Sequence, residues 1–277
     1  MDQPQLALWH SQFDQEGYVI LRDFFTPALI EQARDALTTL VDQHAEQLLA
    51  AGKITDRCQD APFATRLLQL YRANMAAAPN LLRRELHLAG LFDIFFHPRL
   101  LELVASFLGD EIRLYPNYSA RPKFPDHAPT EVLWHQDGGY TQGTVEQLRM
   151  VNVWAPLVSA YVENGCMQFI PGTHRLGVAP HERRDYYLEI SQDALAPRLA
   201  QAVNIELDPG DLVLFHNLLF HRGLPNRADH IRWSLDWRYQ DATQPTLRKE
   251  QGHLARSRNH PEQVVQNAAY WTQLTFQ

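Results

Sequence analysis

Cysteine is nearly absent from this chain. Only Cys58 and Cys166 occur in 277 residues. That is too few for a disulfide-built scaffold or for a structural zinc site of three or four thiolates, and it suits a reducing compartment. Basic residues are also in deficit, 25 Lys and Arg against 32 Asp and Glu, for a formal net charge of -7. Such a balance argues against a protein that coats nucleic acid or an anionic membrane, although it leaves room for a local basic pocket. Long apolar runs are missing: stretches such as LVLF at 212–215 fall far short of a membrane span. The opening MDQPQLALWHSQFDQEGYVI has neither a basic n-region nor an apolar h-region, so no signal peptide is expected. Repeats, low-complexity tracts and linkers are lacking too. The expectation is one soluble, cytoplasmic domain over 1–277 that meets a small molecule rather than nucleic acid or membrane.

What is present changes character near residue 110. Residues 1–110 read as mostly helical support. The stretch 26–52 opens on Thr-Pro, carries Leu29, Ala33, Leu37, Leu40 and Val41 at helical spacing, and stops at Gly52. Helices are also expected over 62–79 and over 97–110, the latter with Pro98 at its start and Gly109 at its end. From 111 to 240 the chain breaks into short strand-like runs bounded by Gly, Pro, Asp or Asn: EIRLYPNYSA, VLWHQD, RMVNVWAPL, GCMQFIPG, VNIELD, DLVLFH and RWSLDWRYQ. Pro-Gly turns at 171–172 and 209–210 separate several of them. This pattern predicts a mainly β fold with flanking α, a double-stranded β-helix (jelly-roll, cupin-like) core behind N-terminal helices. Residues 241–277 read as C-terminal helix and loop.

His135 and Asp137 stand two apart in VLWHQDGGY. On a strand, residues i and i+2 share a face, so an imidazole and a carboxylate are presented together. A second histidine, His221, follows the run VLFHNLLFH and precedes the turn GLPN. Two histidines and one carboxylate on one side of a metal leave the opposite positions open, the facial arrangement of non-haem iron oxygenases. Alone, a His-x-Asp pair among 13 histidines is a weak signal, and a surface His beside a strand-ending Asp is the plain alternative. Arg232, eleven residues after His221, adds weight. If a turn returned the chain as an adjacent antiparallel strand, Arg232 would point into the same cavity, and its planar fork suits a carboxylate. Ser234 shares its face.

Together these pieces resemble the phytanoyl-CoA dioxygenase family. The resemblance rests on WHQD (134–137), VNVWAPL (151–157), ENGCMQFIPGTH (163–174), DPGDLVLFH (208–216), HRGLPN with Arg232, and the strand entry FDQEGYVILRDFF (13–25). It implies an iron(II)- and 2-oxoglutarate-dependent dioxygenase that uses O2 and releases succinate and carbon dioxide. It also implies that His135, Asp137 and His221 bind iron, that Arg232 binds the far carboxylate of 2-oxoglutarate, and that Trp154 lines the co-substrate pocket. The chain departs from the family pattern at His221-Arg222-Gly223, where many members read His-Gly-Ser; Ser234 is the candidate replacement for that hydroxyl. Asn117 is the best match for a polar residue that touches 2-oxoglutarate, or equally a turn residue after Pro116.

Other residues carry weaker readings. Tyr140, Arg121 and Gln168 are candidate substrate contacts. Asn164-Gly165 and Pro171-Gly172 read as turns. His174 and His216 are competing metal candidates, but His216 is five residues before His221 and would point to the opposite face of a strand. HERRD (181–185) reads as a solvated charge run, and RSR (256–258) as a segment that could close over the active-site mouth. The expected reaction is hydroxylation of an aliphatic C–H of a small metabolite, with Arg121, Lys123 and Arg222 favouring an acidic one. Desaturation or epoxidation needs only another substrate pose. A non-catalytic jelly-roll relative that binds a ligand or a partner is the alternative from another class; it has no need of all four of His135, Asp137, His221 and Arg232. A halogenase would replace the carboxylate with a small residue, and Asp137 argues against it.

Overall fold

Polar and apolar side chains alternate from Arg232 to Gln240 in RWSLDWRYQD, and this strand lies at the centre of the large sheet. The computed structural model describes residues 3–140, 147–185 and 188–276. A seven-stranded antiparallel sheet runs in the order β1 (Tyr18–Leu21), β10 (Leu212–His216), β5 (Met150–Pro156), β12 (Arg232–Asp241), β2 (Ile112–Leu114) and β13 (His253–Arg256). β3 (Ser119–Lys123) pairs with the first half of β12. A second sheet runs β4 (Val132–His135), β11 (Phe220–Gly223), β6 (Met167–Ile170) and β9 (Val203–Ile205). A small hairpin pairs β7 (His181–Arg183) with β8 (Leu188–Ile190). The fold is the expected jelly roll: two antiparallel sheets face one another, and helices cover the outside of the larger one.

Each central strand of the large sheet serves two interiors. Trp233, Leu235, Trp237 and Tyr239 of β12, with Val151, Val153 and Ala155 of β5, point outward into the main apolar core. There they meet α2 (Pro27–Ala50), α4 (Ala89–Phe95) and α5 (Pro98–Leu108). Helix α2 begins where the Thr26 hydroxyl accepts the Leu29 amide, and it buries Ile30, Ala33, Leu37, Leu40, Val41 and Ala45 along one stripe. The opposite faces of β5 and β12 look into the space between the sheets, where Trp154, Met167, Phe169, Val213 and Phe215 form a second cluster.

Several elements differ from the sequence reading. The helix expected over 62–79 ends at Tyr71, as α3 (Phe63–Tyr71), because Arg72, Ala73 and Asn74 are exposed and offer no apolar face to continue it. A helix over Gln3–Glu16, α1, was not anticipated; it buries no residue fully and rests on the core through Leu6, Trp9 and Phe13. The tail is not only helix and loop. β13 joins the main sheet with a register shift between Leu254 and Arg256, and its buried positions, His253 and Ala255, are not the apolar alternation that marks a strand in the sequence. Beyond it, Trp271 is fully buried and stacks on His87 at 3.9 Å between ring centroids. Residues 181–183 of the expected charge run are a strand, with Glu182, Arg184 and Glu189 paired in solvent. RSR lies elsewhere than the mouth: Arg256 and Arg258 bind Asp110, and Ser257 binds Glu111. Among the described residues, no helix is long and apolar enough to cross a membrane.

The burial of Trp237, 0% exposed, gives a direct check of this core. Trp237→Ala should cost about 3–5 kcal/mol of stability, the usual toll of an emptied aromatic site. Urea unfolding should show a lower midpoint with an unchanged slope, and a midpoint within error of the parent would contradict the packing described.

Candidate active site

Strand β4 ends at His135, and the chain turns at Asp137 into a single 3-10 turn, Asp137–Tyr140. Strand β11 lies beside β4, with His221 opposite His135 in the ladder. The two rings stand 4.1 Å apart between centroids. Their Nε2 atoms lie 3.8 Å and 4.0 Å from the two oxygens of Asp137, and one ligand atom from each of the three residues falls within 4.8 Å of the others. Each histidine bonds a backbone carbonyl through Nδ1, His135 to Leu133 and His221 to Leu219, both at 2.8 Å. The Nδ1–H therefore donates, and Nε2 is left with its lone pair aimed at Asp137. That is the tautomer a divalent metal requires, fixed before the metal arrives. The donor set of two neutral imidazoles and one carboxylate fits iron(II).

Electrostatics keep these groups in ligating form. Burial and the neighbouring His221 hold His135 down to about 3, so it stays neutral. Burial alone would raise the Asp137 carboxyl, but Arg238 and the two histidines outweigh it and hold it well below the usual carboxylate range. Arg238 Nη2 donates to Asp137 Oδ1 at 2.7 Å, and Asn152 Nδ2 donates to Oδ2 at 2.7 Å. Arg238 also faces Asp236, which accepts from Arg121 and, at 2.9 Å, from Ser119. Gln136, between the two ligands and fully buried, turns the other way. Its amide donates to the carbonyls of Gly177 and Leu218 and accepts from the Ala179 amide. It bolts the motif to two other segments of chain.

A deep cavity leads from the triad to Arg232, walled by Val132, Trp154, Met167, Phe215 and Gly223. Arg232 is 4% exposed, lies over the Trp154 ring at 5.1 Å, and donates to Ser234. No carboxylate stands within ion-pairing distance of it among the described residues. The route by which it gets there differs from the expected hairpin. β11 belongs to the small sheet and β12 to the large one, so the chain crosses the sandwich between them and Arg232 faces the metal site from across the cavity. Lys123, its ladder partner on β3, is buried nearby.

The remaining sequence candidates fall in different places. Trp154 lines the deep cavity, and Arg121 lines it while paired with Asp236. Asn117 lies in a second pocket, which opens over His135 and Asp137, rather than at the Arg232 end, and its backbone carbonyl accepts from Arg238 at 2.8 Å. Gln168 does not reach the interior. It alternates with Met167 and Phe169, which do, and it bonds Arg222 and Asn204 on the far face of the small sheet. Arg222 is there too, stacked over Trp134 at 4.9 Å. His174 and His216 pack on each other away from the triad. The side chain of Tyr140 lies outside the described residues. Arg238, Asp236, Asn152 and Gln136 were missed in the sequence, although continuing the i, i+2 steps from Arg232 along β12 and back from Trp154 along β5 reaches three of the four.

Against known families, residues 13–234 match the family model described as phytanoyl-CoA dioxygenase (PhyH). The chain belongs to this family. It is an iron(II)- and 2-oxoglutarate-dependent dioxygenase that takes O2 as second co-substrate. It is similar to the 1-deoxypentalenic acid 11-beta-hydroxylase of Streptomyces arenae, 25% identical over 245 residues that cover 83% of this chain and 80% of that protein. In fold it resembles EvdO2 from Micromonospora carbonacea var. aurantiaca, with a TM-score of 0.63 and 22% identity over 87% of this chain and 91% of the other. It also resembles EctD from S. alaskensis, solved with 2-oxoglutarate and 5-hydroxyectoine, with a TM-score of 0.60 and 21% identity over 88% and 77%.

Two measurements follow. Asn152→Leu removes one hydrogen bond that orients Asp137 and leaves the three ligands in place, so metal affinity should fall about 10–100-fold; a titration with an iron(II) surrogate that showed no change would remove Asn152 from this role. The second concerns pH. Burial holds His135 at about 3 and, with their histidine neighbours, His216 and His253 at about 4. The unfolded chain takes up protons on these residues below about 6.5 while the folded one does not. The metal-free protein should therefore lose stability as pH falls from about 6.5 toward 4, read as a urea midpoint lower at pH 5 than at pH 7, and a midpoint that rises would contradict the burial of these rings.

Proposed function

We propose that the protein hydroxylates an aliphatic C–H of a small metabolite, with His135, Asp137 and His221 holding the iron and Arg232 anchoring the distal carboxylate of 2-oxoglutarate. The observation that carries this reading is Arg232 itself. A guanidinium that is buried, with no carboxylate within ion-pairing distance among the described residues, at the far end of a cavity whose other end is a two-histidine, one-carboxylate cluster, calls for a dicarboxylate guest. Burial lowers Arg232 to about 10, still charged at neutral pH.

Lys123 supports the same end of the cavity. Gly223 stands where many relatives carry a serine, and a Cβ built on it would lie 3.4 Å from the Lys123 ammonium. That ammonium donates to the Thr130 carbonyl at 3.0 Å. Burial and Arg232 lower it to about 7, so an arriving carboxylate would favour its charged form. Gly165 makes its passage possible: at φ +89° with no side chain, it leaves room for the lysine stem, whose Cε would otherwise lie 2.6 Å from a Cβ.

Iron(II) with 2-oxoglutarate supplies the oxidising chemistry at such a centre. The chain's part is to orient and to exclude water. Trp154, Met167 and Phe215 wall the co-substrate, Arg232 and Lys123 fix its far end, and Arg238 and Asn152 fix the carboxylate that faces the reacting side. With Asp137 as a ligand, the position a halide would need is taken, which favours hydroxylation over halogenation. The free state of Cys58 and Cys166 suits a reducing, cytoplasmic setting.

The function is tested by release of succinate and carbon dioxide from 2-oxoglutarate with iron(II) and a panel of small acids, using labelled dioxygen with chloride present. One labelled oxygen in the product supports hydroxylation; a chlorinated main product overturns it. Asp137→Asn, which keeps a polar partner for Arg238 and Asn152 while removing the ligating charge, should abolish turnover. Arg232→Leu should weaken 2-oxoglutarate binding by more than about tenfold, since a desolvated charge-assisted pair is worth about 2–5 kcal/mol. Unchanged binding, read directly with nickel(II) in place of iron, would end the role given to Arg232.

A further inference from the structure

A second pocket, about 340 Å³, opens over the triad on the side away from Arg232, with His135 and Asp137 in its floor. That size is at the lower end of the range for small-molecule sites, about 300–1,000 Å³. Its chemistry is unusual for a hydroxylase of hydrocarbon chains. Only Leu81 and Val132 of its lining are apolar, while four guanidiniums converge on it: Arg83, Arg121, Arg238 and Arg248. Two are engaged, Arg121 with Asp236 and Arg238 with both Asp137 and Asp236. The other two are not. Arg83 has no carboxylate within ion-pairing distance among the described residues, and its Nε is buried without a hydrogen-bond partner. Among the described residues, the Arg248 guanidinium meets the hydroxyl and ring of Tyr115, its Nε donating to Oη at 3.1 Å, and no carboxylate lies within ion-pairing distance of it. Among the described residues, the four cations that line the pocket meet two carboxylates, Asp137 in its floor and Asp236 behind Arg121 and Arg238, an excess of two positive charges before any metal is added.

We propose that this pocket is an oxyanion site in which Arg83 and Arg248 hold a carboxylate or phosphoryl group of the primary substrate and so aim the rest of that molecule at the metal. The proposal rests on the iron and 2-oxoglutarate reading above and names the substrate class for it. Gathering like charges in a half-enclosed space is costly, and burial with the other three guanidiniums pushes Arg83 down to about 10. A bound oxyanion removes that cost, and the guanidinium fork matches its geometry. The co-substrate does not supply the missing charge, because its distal carboxylate goes to Arg232 and Lys123 at the other end of the deep cavity. The basis differs from the one legible in the sequence. Of the three residues that first suggested an acidic substrate, Arg121 is paired, Lys123 lies at the co-substrate end, and Arg222 is outside the sandwich.

The test uses the full chain loaded with cobalt(II) and 2-oxoglutarate, both followed by visible absorption, and two probes, methylphosphonate and acetate. Paramagnetic relaxation of the phosphorus or carboxyl-carbon resonance reports residence near the metal. A saturable enhancement is expected for methylphosphonate if the group is phosphoryl and for acetate if it is a carboxylate. It should weaken by about tenfold or more in Arg83→Gln with Arg248→Gln, the loss of two charge-assisted contacts, with the cobalt and 2-oxoglutarate spectrum retained. Arg222→Gln, on the outer face, should leave it intact. No enhancement with either probe, or an equal one in the double variant, overturns the proposal. Failure of cobalt or 2-oxoglutarate to bind the unaltered protein is seen separately in the absorption spectrum; it would remove the underlying reading, and this one with it.

Discussion

The carboxylate of Asp137 is gripped from two sides, by the Arg238 guanidinium on one oxygen and the Asn152 amide on the other. Both grips come from the large sheet, whereas the two histidines come from the small one and Asp137 from the turn that directly follows its strand β4. The ion pair therefore ties the two sheets together at the point where they enclose the cavity. It also settles a conflict. A carboxylate this buried would ordinarily take a proton and cease to be a metal ligand. Arg238 keeps it ionised, and Asp236 in turn keeps Arg238 compensated, with Arg121 and Ser119 closing the network. A buried charge network of this kind is stable only when every member is satisfied, so the inner faces of β5, β12 and β3 are constrained as a group.

Strand β12 shows how core and site are coupled. Its odd-numbered residues Trp233, Leu235, Trp237 and Tyr239 anchor the strand in the helix-covered core, with 0% exposure at each. Its even-numbered residues Arg232, Ser234, Asp236 and Arg238 are the polar wall of the cavity. A slip of one residue would exchange the two sets, burying four polar groups in the apolar core and emptying the site. The free energy of aromatic burial thus fixes the register that places Arg232 at one end of the cavity and Arg238 at the other.

Much of this was legible in the sequence, for local reasons. His135 and Asp137 are two apart on a strand, the helix over 26–52 announces its start and stop, and the turn at Asn164-Gly165 is a short-range signal; the Asn164 side chain indeed accepts the Tyr161 amide at 2.8 Å. What escaped depends on contacts distant in sequence. Nothing local says that β11 and β12, adjacent in the chain, belong to different sheets. Arg238 lies 101 residues from the carboxylate it holds. Arg83 sits in a connection without regular structure, where no periodicity marks it. Gln168 was misplaced because one step along a strand reverses the face, and the sequence gives no anchor for that step between Gly165 and Pro171.

The side chains over the metal are distributed differently from those beneath it. Of the residues over the metal, Asn80, Arg83, Asn117 and Arg248 sit in connecting segments and Arg121, Val132 and Arg238 on strands, while His135, Trp154, His221 and Arg232 are on strands and Asp137 directly follows one. Inherited changes in the connections, including insertions, need not disturb the pairing that assembles the oxidising centre, whereas almost any change on the strands would. A lineage built this way can be retargeted from one metabolite to another by rewriting loops while its reaction stays constant, and duplicated copies can diverge in diet without first losing their chemistry.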